Sequence, residues 1–112
     1  MQNLVSLTLS ANDLAEADAA IATLKRVFAP LVSLSSDEVR GLAKMGEKSE
    51  VFCRQTLAVL AANPQVVPPN LGLAEATADL AALDALRPRL VQLRQLTERA
   101  TDTEIALGAD IM

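Results

Sequence analysis

The chain has 112 residues, of which 51% are hydrophobic and only two are aromatic, and it carries a formal net charge of −4 at pH 7. Nucleic-acid binding normally uses a basic face and stacking aromatic side chains, so this composition argues against a nucleic-acid partner. Alanine and leucine supply most of the apolar residues, which favours helices over strands.

Residues 1–10 are predicted to form an extended arm. Val5 to Ser10 alternates apolar and polar residues, the period of a half-buried strand, but the chain offers no second strand to pair with it. Ser10 or Asn12 is expected to cap the first helix, because a side-chain oxygen at that position accepts a hydrogen bond from the first turn.

The first helix carries a regular apolar row, which we call the first-helix row. Its members are spaced alternately three and four residues apart, the pattern of a helix that packs nearly parallel to a neighbour. They are Leu14, Ala17, Ile21, Leu24, Phe28 and Leu31. Pro30 should end or kink the helix near Ala29.

Two further helices are predicted before the main loop. Ser35 and Glu38 have the spacing of a capping box and open a short helix expected to stop near Met45. We predict that Gly46 stops it in the left-handed conformation, and that a longer helix then runs from Glu47 to Ala62. The expected inner stripe of this longer helix is Ser49, Phe52, Cys53, Thr56, Leu57 and Leu60, with a second apolar patch at Ala58, Val59 and Ala62.

The stretch from Gly41 to Ser49 looks like a phosphate-binding P-loop with one residue inserted before Lys48. Such a loop needs a preceding strand and fixed offsets from its glycines to its lysine and serine. Because a helix precedes it here, we interpret the stretch as a helix break and not as a nucleotide site.

After a proline-rich loop, a long helix is predicted from Leu73 to about Arg99, bent near Pro88. Thr101 and Glu104 have capping-box spacing and predict a separate short last helix. That segment has apolar residues on both sides, including Ile105, Leu107 and Ile111, so it is expected to be covered all round. The stripe of the long helix is Leu73, Ala76, Leu80, Leu83, Leu86, Leu90, Leu93 and Leu96.

The sequence offers few of the side chains that catalytic and metal-binding sites commonly use. The sequence contains no histidine and one cysteine, which removes the usual acid–base residue and the common zinc ligands. Cys53 is expected to be a small buried hydrophobe, and a single cysteine suits a reducing cytoplasm. We therefore predict no enzyme activity, no cofactor and no metal site.

No membrane segment is expected. The N-terminus lacks the features of a signal peptide, and prolines interrupt the longest uncharged stretch, Gln55 to Ala74. A cytoplasmic protein that does not insert into membranes is the prediction.

Several landmarks together resemble a family of small uncharacterised bacterial proteins. They are Leu31–Leu34, Lys44–Ser49, Asn63-Pro64 with Pro68-Pro69, and Leu86–Pro88. The resemblance covers most of the chain and implies a helical bundle with no established activity. It also implies that family members continue past the equivalent of Met112 with another helical stretch.

The sequence as a whole predicts one all-α domain over residues 1–112, an up-and-down bundle of about four helical segments with a short last one. A groove left open by that short segment predicts a homodimer. The expected function is a non-enzymatic interaction or structural module, acting by self-association or on another protein. The alternative is a small-molecule-binding bundle, or an enzyme built on one, with a cavity between helices. The candidate interaction surface is Ala58, Val59, Ala62, Ile105, Leu107 and Ile111.

Overall fold

A computed structural model describes residues 3–112, and the fold of this part is all-α, as predicted. It contains four α-helices and one short 3-10 turn, and residues 3–112 contain no strand. The elements in chain order are α1 (Ala11–Val27), α2 (Ser36–Gly41), α3 (Glu47–Ala62), a 3-10 turn (Pro64–Val66) and α4 (Leu73–Ile111). Residues 3–10 precede α1 without regular secondary structure, and Met1 and Gln2 of the predicted arm lie outside the described residues.

The predicted helix starts of α1 and α2 are confirmed by their caps. Ser10 has extended backbone angles, and its Oγ accepts a hydrogen bond from the Asp13 N–H at 3.0 Å. At α2 the Ser35 hydroxyl accepts from the Glu38 N–H at 3.1 Å. The Glu38 carboxylate accepts in turn from the Ser35 N–H at 3.3 Å. Both orphan N–H groups of a capping box are therefore satisfied.

The prediction for Gly46 is wrong. This residue is the N-cap of α3 with φ −79° and ψ 179°, an extended conformation open to any residue. The α2 helix has already ended at Gly41, so Gly46 starts a helix and does not stop one. The positive φ belongs to Gly72, at φ 74°, which precedes α4.

The prediction of a short, separate last helix is also wrong. The α4 helix is 39 residues long and runs without interruption from Leu73 to Ile111. Glycine and proline are absent between Pro88 and Gly108, so no residue there breaks the backbone hydrogen bonds, and Thr101 with Glu104 stays inside the helix. Pro88 itself lies within α4.

The chain divides into two units, each with its own internal contacts. One contains residues 3–42 with the last residues of α4, Thr103–Met112, and the other is Ala43–Asp102. In the first unit the arm is attached to the end of α4. The N–H groups of Leu4 and Val5 donate to the two carboxylate oxygens of Asp110, at 2.7 and 2.9 Å.

In the second unit α3 and the beginning of α4 form an antiparallel hairpin. Ion pairs join Glu50 to Arg87 and Arg54 to Asp84, so the chain order is reversed between the two helices. The partly covered leucines of α4 follow the predicted stripe from Leu73 to Leu90. Beyond Leu90 the stripe continues as Leu93 and Leu96, which are exposed.

No side chain in residues 3–112 is fully buried. Even the best-covered residues keep part of their surface open, and many large apolar side chains are exposed. A compact domain of about 60 residues normally buries roughly 60% of the surface that its unfolded chain exposes. The apolar faces that the sequence predicts are present, but neither unit covers its own. No helix in the described part is both long and apolar enough to span a bilayer.

Candidate functional site

A cluster of four alternating charges joins α3 to α4, and we call it the hairpin ion pairs. Arg54 forms a two-pronged contact with the Asp84 carboxylate, Nη1–Oδ2 at 3.0 Å and Nη2–Oδ1 at 2.5 Å. Its Nε also donates to Glu50 Oε2 at 3.1 Å. Arg87 Nη2 lies 2.8 Å from the other Glu50 oxygen. Two arginines and two carboxylates thus neutralise one another.

The hairpin ion pairs shift the pKa of each member in the direction that favours its charged form. Hydrogen bonds from Arg87 and then Arg54 lower the pKa of the Glu50 carboxyl, and Arg54 lowers the pKa of Asp84. The carboxylates in turn raise the pKa of both arginines, through Asp84 for Arg54 and through Glu50 for Arg87. These shifts move each pKa further from neutral pH, whereas efficient general acid–base catalysis uses a group whose pKa lies near the working pH. The cluster is therefore suited to fixing the hairpin.

These contacts also rotate α3 from the orientation that the sequence predicts. Glu50 and Arg54, which are not part of the predicted inner stripe, lie on the face turned to α4, with the Glu50 side chain only 24% exposed. Phe52 and Cys53, expected on the inner stripe, are exposed. The physical reason is that Glu50 and Arg54 are one helical turn apart, so pairing both with α4 fixes the face.

The sequence does contain a signal for this arrangement. Glu50 and Arg54 are four residues apart, and Asp84 and Arg87 are three apart, so each helix presents an opposite-charge pair on one face. An antiparallel hairpin brings the two pairs together. The hydrophobic pattern of α3, which includes Phe52, predicts a different face from the one that these charge pairs indicate.

Rotation of α3 exposes an apolar strip that we call the α3 outer face, defined by Phe52 and Val59. These residues are seven apart, on the side opposite the hairpin ion pairs, and are 67% and 58% exposed. They line a shallow depression together with Gln55, Thr56 and Leu60. The predicted patch residues Ala58, Val59 and Ala62 are all exposed, with Val59 on this face and the two alanines beside it.

The other half of the predicted surface lies on the last turns of α4. Ile105 and Ile111 are 64% and 78% exposed, and Leu107 is exposed as well. A third side of this segment, between Ile105 and Leu107, is partly covered at Thr103, Ala106 and Asp110. The expectation that this segment is covered all round is therefore wrong, because the arm reaches only one side of it. The six predicted residues fall into different units, three in each.

The first-helix row is uncovered along α1. Ile21 is 51% exposed and Leu24 is 39% exposed, and Leu14 and Leu31 are exposed too. Only Phe28, at the C-cap of α1, is partly covered. The helix therefore presents a regular apolar row that no other part of unit one packs on.

Metal chemistry has no candidate site among residues 3–112, where no three histidine, cysteine or acidic side chains lie together in a suitable arrangement. The chain matches no protein-family model, no curated protein and no solved structure. The resemblance to a bacterial family, carried by Lys44–Ser49 and the other landmarks, therefore stays a prediction.

Proposed function

We propose that this protein is a non-enzymatic helical interaction module whose apolar faces are covered by another protein chain, in the first place by a second copy of itself. The observation that carries the proposal is the absence of any buried side chain in residues 3–112, beside well-formed and capped helices. Short helices are marginal in water without tertiary packing, because packing of the apolar face supplies most of their stability.

Covering the large apolar side chains would stabilise the folded chain. Covering a half-exposed leucine, isoleucine or valine contributes about 1 kcal/mol, half of the value for complete burial. The exposed fractions of Leu14, Ile21, Leu31, Val59 and Leu96 range from 47% to 62%, and many other large apolar side chains are exposed as well. A face of this kind on a soluble chain usually marks a protein interface.

The hairpin ion pairs support a scaffold role for unit two. They fix the rotation of α3 and so determine which residues, Phe52 and Val59 among them, point away from α4. We also propose a cytoplasmic location, because a single cysteine, the exposed free thiol of Cys53, suits a reducing compartment.

Sedimentation velocity and binding of a fluorescent hydrophobic dye test this proposal on the full chain under reducing conditions. We expect either an assembly larger than the 11.8 kDa monomer or, where the chain is monomeric, strong dye fluorescence from open apolar faces. Reductant removes disulfide-linked dimers through Cys53 from the readout. A folded monomer that leaves the dye dark would contradict the proposal.

A further inference from the structure

The first-helix row has the geometry of a two-helix interface. Leu14, Ala17, Ile21, Leu24 and Phe28 follow a heptad pattern along α1 and its C-cap. In a coiled coil such residues form the layers between two helices, while the residues that flank them carry the charges that select the partner's orientation. The flanking charges here are Asp13, Asp18 and Lys25.

An antiparallel alignment of two α1 helices matches large residues with small ones. Placing Ile21 opposite Leu24 of a second copy also places Ala17 opposite Phe28. The methyl group of alanine leaves room for the phenylalanine ring, so the layers fill evenly. A parallel alignment would instead stack alanine on alanine and phenylalanine on phenylalanine, leaving a gap at one level and crowding at another.

The charges favour the same alignment. In the antiparallel pair, Asp18 lies beside Lys25 of the second copy, and the twofold axis repeats this contact. In a parallel pair, Asp18 would lie beside Asp13 of the second copy, which is repulsive. Steric and electrostatic complementarity thus select one orientation and one register.

We infer that α1 is the self-association element of this protein and that two copies pair through the first-helix row in antiparallel orientation, with Asp18 facing Lys25 across the axis. This inference rests on the proposed function, because it names the copy of the chain that covers one of the exposed faces. Ala20 and Val27 flank the row on its other edge and extend the apolar contact.

Charge exchange at Asp18 and Lys25 tests the inference on the full chain. Asp18→Lys or Lys25→Glu turns two attractive contacts into two repulsive ones, so each variant should weaken dimerisation by about three- to tenfold. The double variant Asp18→Lys/Lys25→Glu restores opposite charges and should recover most of the wild-type affinity. Sedimentation from roughly 0.1 to 200 µM, a range that brackets a micromolar dissociation constant, measures all four proteins.

A substitution within the first-helix row, with a matched control, tests whether the row itself forms the contact. Ile21→Asp places a charge in the row and should weaken dimerisation at least tenfold, whereas Ala22→Asp places it on the other side of α1 and should leave association unchanged. Far-ultraviolet circular dichroism must show equal helix content for the two variants. Asp18→Lys and its reversal by the double variant provide the test if Ile21→Asp fails to fold.

The outcomes separate this inference from the proposed function. Tighter association of Asp18→Lys would indicate a parallel pair and overturn the antiparallel register. Wild-type association that none of these variants changes would overturn the role of α1 and leave the proposed function in place. A wild-type monomer that still binds the hydrophobic dye would also overturn the role of α1 and leave the proposed function in place.

Discussion

Single residues show where the backbone is constrained. Gly72 has φ 74°, and an added Cβ would lie 3.2 Å from Glu75 Oε2 in the first turn of α4. The sequence suggests Gly46 as the residue with positive φ. An added Cβ at Gly46 would instead meet open space, and its φ is an ordinary extended one. Sequence alone could not distinguish them, because both glycines directly precede a helical stretch and the sign of φ depends on the path of the loop.

The Gly72→Ala substitution is expected to reduce the free energy of unfolding by about 1 kcal/mol, because a residue with a Cβ is disfavoured at positive φ. Thermal or urea unfolding followed by circular dichroism measures the change. Gly108→Ala is the matched control, since Gly108 lies within α4 with nothing near its added Cβ. The control should be stabilised by about 0.5–1 kcal/mol. Equal stability of Gly72→Ala and wild type would show that the loop tolerates a side chain there.

At the scale of elements, local sequence signals predicted well what depends on near neighbours. The caps at Ser10 and Ser35, and the bounds of α3, follow from hydrogen bonds and propensities within a few residues. The rotation of α3 does not follow from such local interactions. It depends on charges that lie about thirty residues apart along the chain, such as Arg54 and Asp84. The continuation of α4 was missed for another reason: a threonine and a glutamate three apart occur inside helices as well as at their starts.

The hairpin ion pairs make stability depend on pH in a defined direction. The folded-state pKa values of Glu50 and Asp84 are lowered, so the stabilisation is present above their unfolded values and is lost as pH falls through the folded values. The melting temperature is therefore expected to fall on acidification below about pH 4.5, the ordinary value for Glu50. Both groups are close to solvent, so high salt should weaken the effect.

Glu50→Gln measures the share of that pH dependence that the hairpin ion pairs supply. The variant should melt at a lower temperature than wild type at pH 7, and the difference should shrink as pH falls below 4.5. Asp79→Asn, which removes an α4 carboxylate outside the hairpin ion pairs, is the control and should melt at the wild-type temperature at pH 7. Parallel curves for Glu50→Gln and wild type at all pH values would contradict a stabilising role for these pairs.

At the scale of the whole molecule, the sequence predicted helices with apolar faces, and the structure has them. The predicted homodimer rested on a short last helix that leaves a groove open, and the length of α4 removes that reason. A different reason replaces it: the first-helix row, the α3 outer face and the end of α4 are uncovered within their own units. Hydrophobic patterning identifies such faces but does not identify what covers them, because any apolar surface of matching shape satisfies the same pattern.

The concentration dependence of the melting temperature tests self-association most directly. Binding of a second copy to the folded state alone stabilises that state by mass action, so the midpoint must rise with protein concentration. For a dimer of this chain we expect a rise of about 3 °C for each tenfold increase, from the usual unfolding entropy per residue. Circular dichroism or scanning calorimetry under reducing conditions, from roughly 5 to 500 µM, covers two decades of concentration above a micromolar dissociation constant. A cooperative transition whose midpoint stays constant over that range would contradict self-association of this protein.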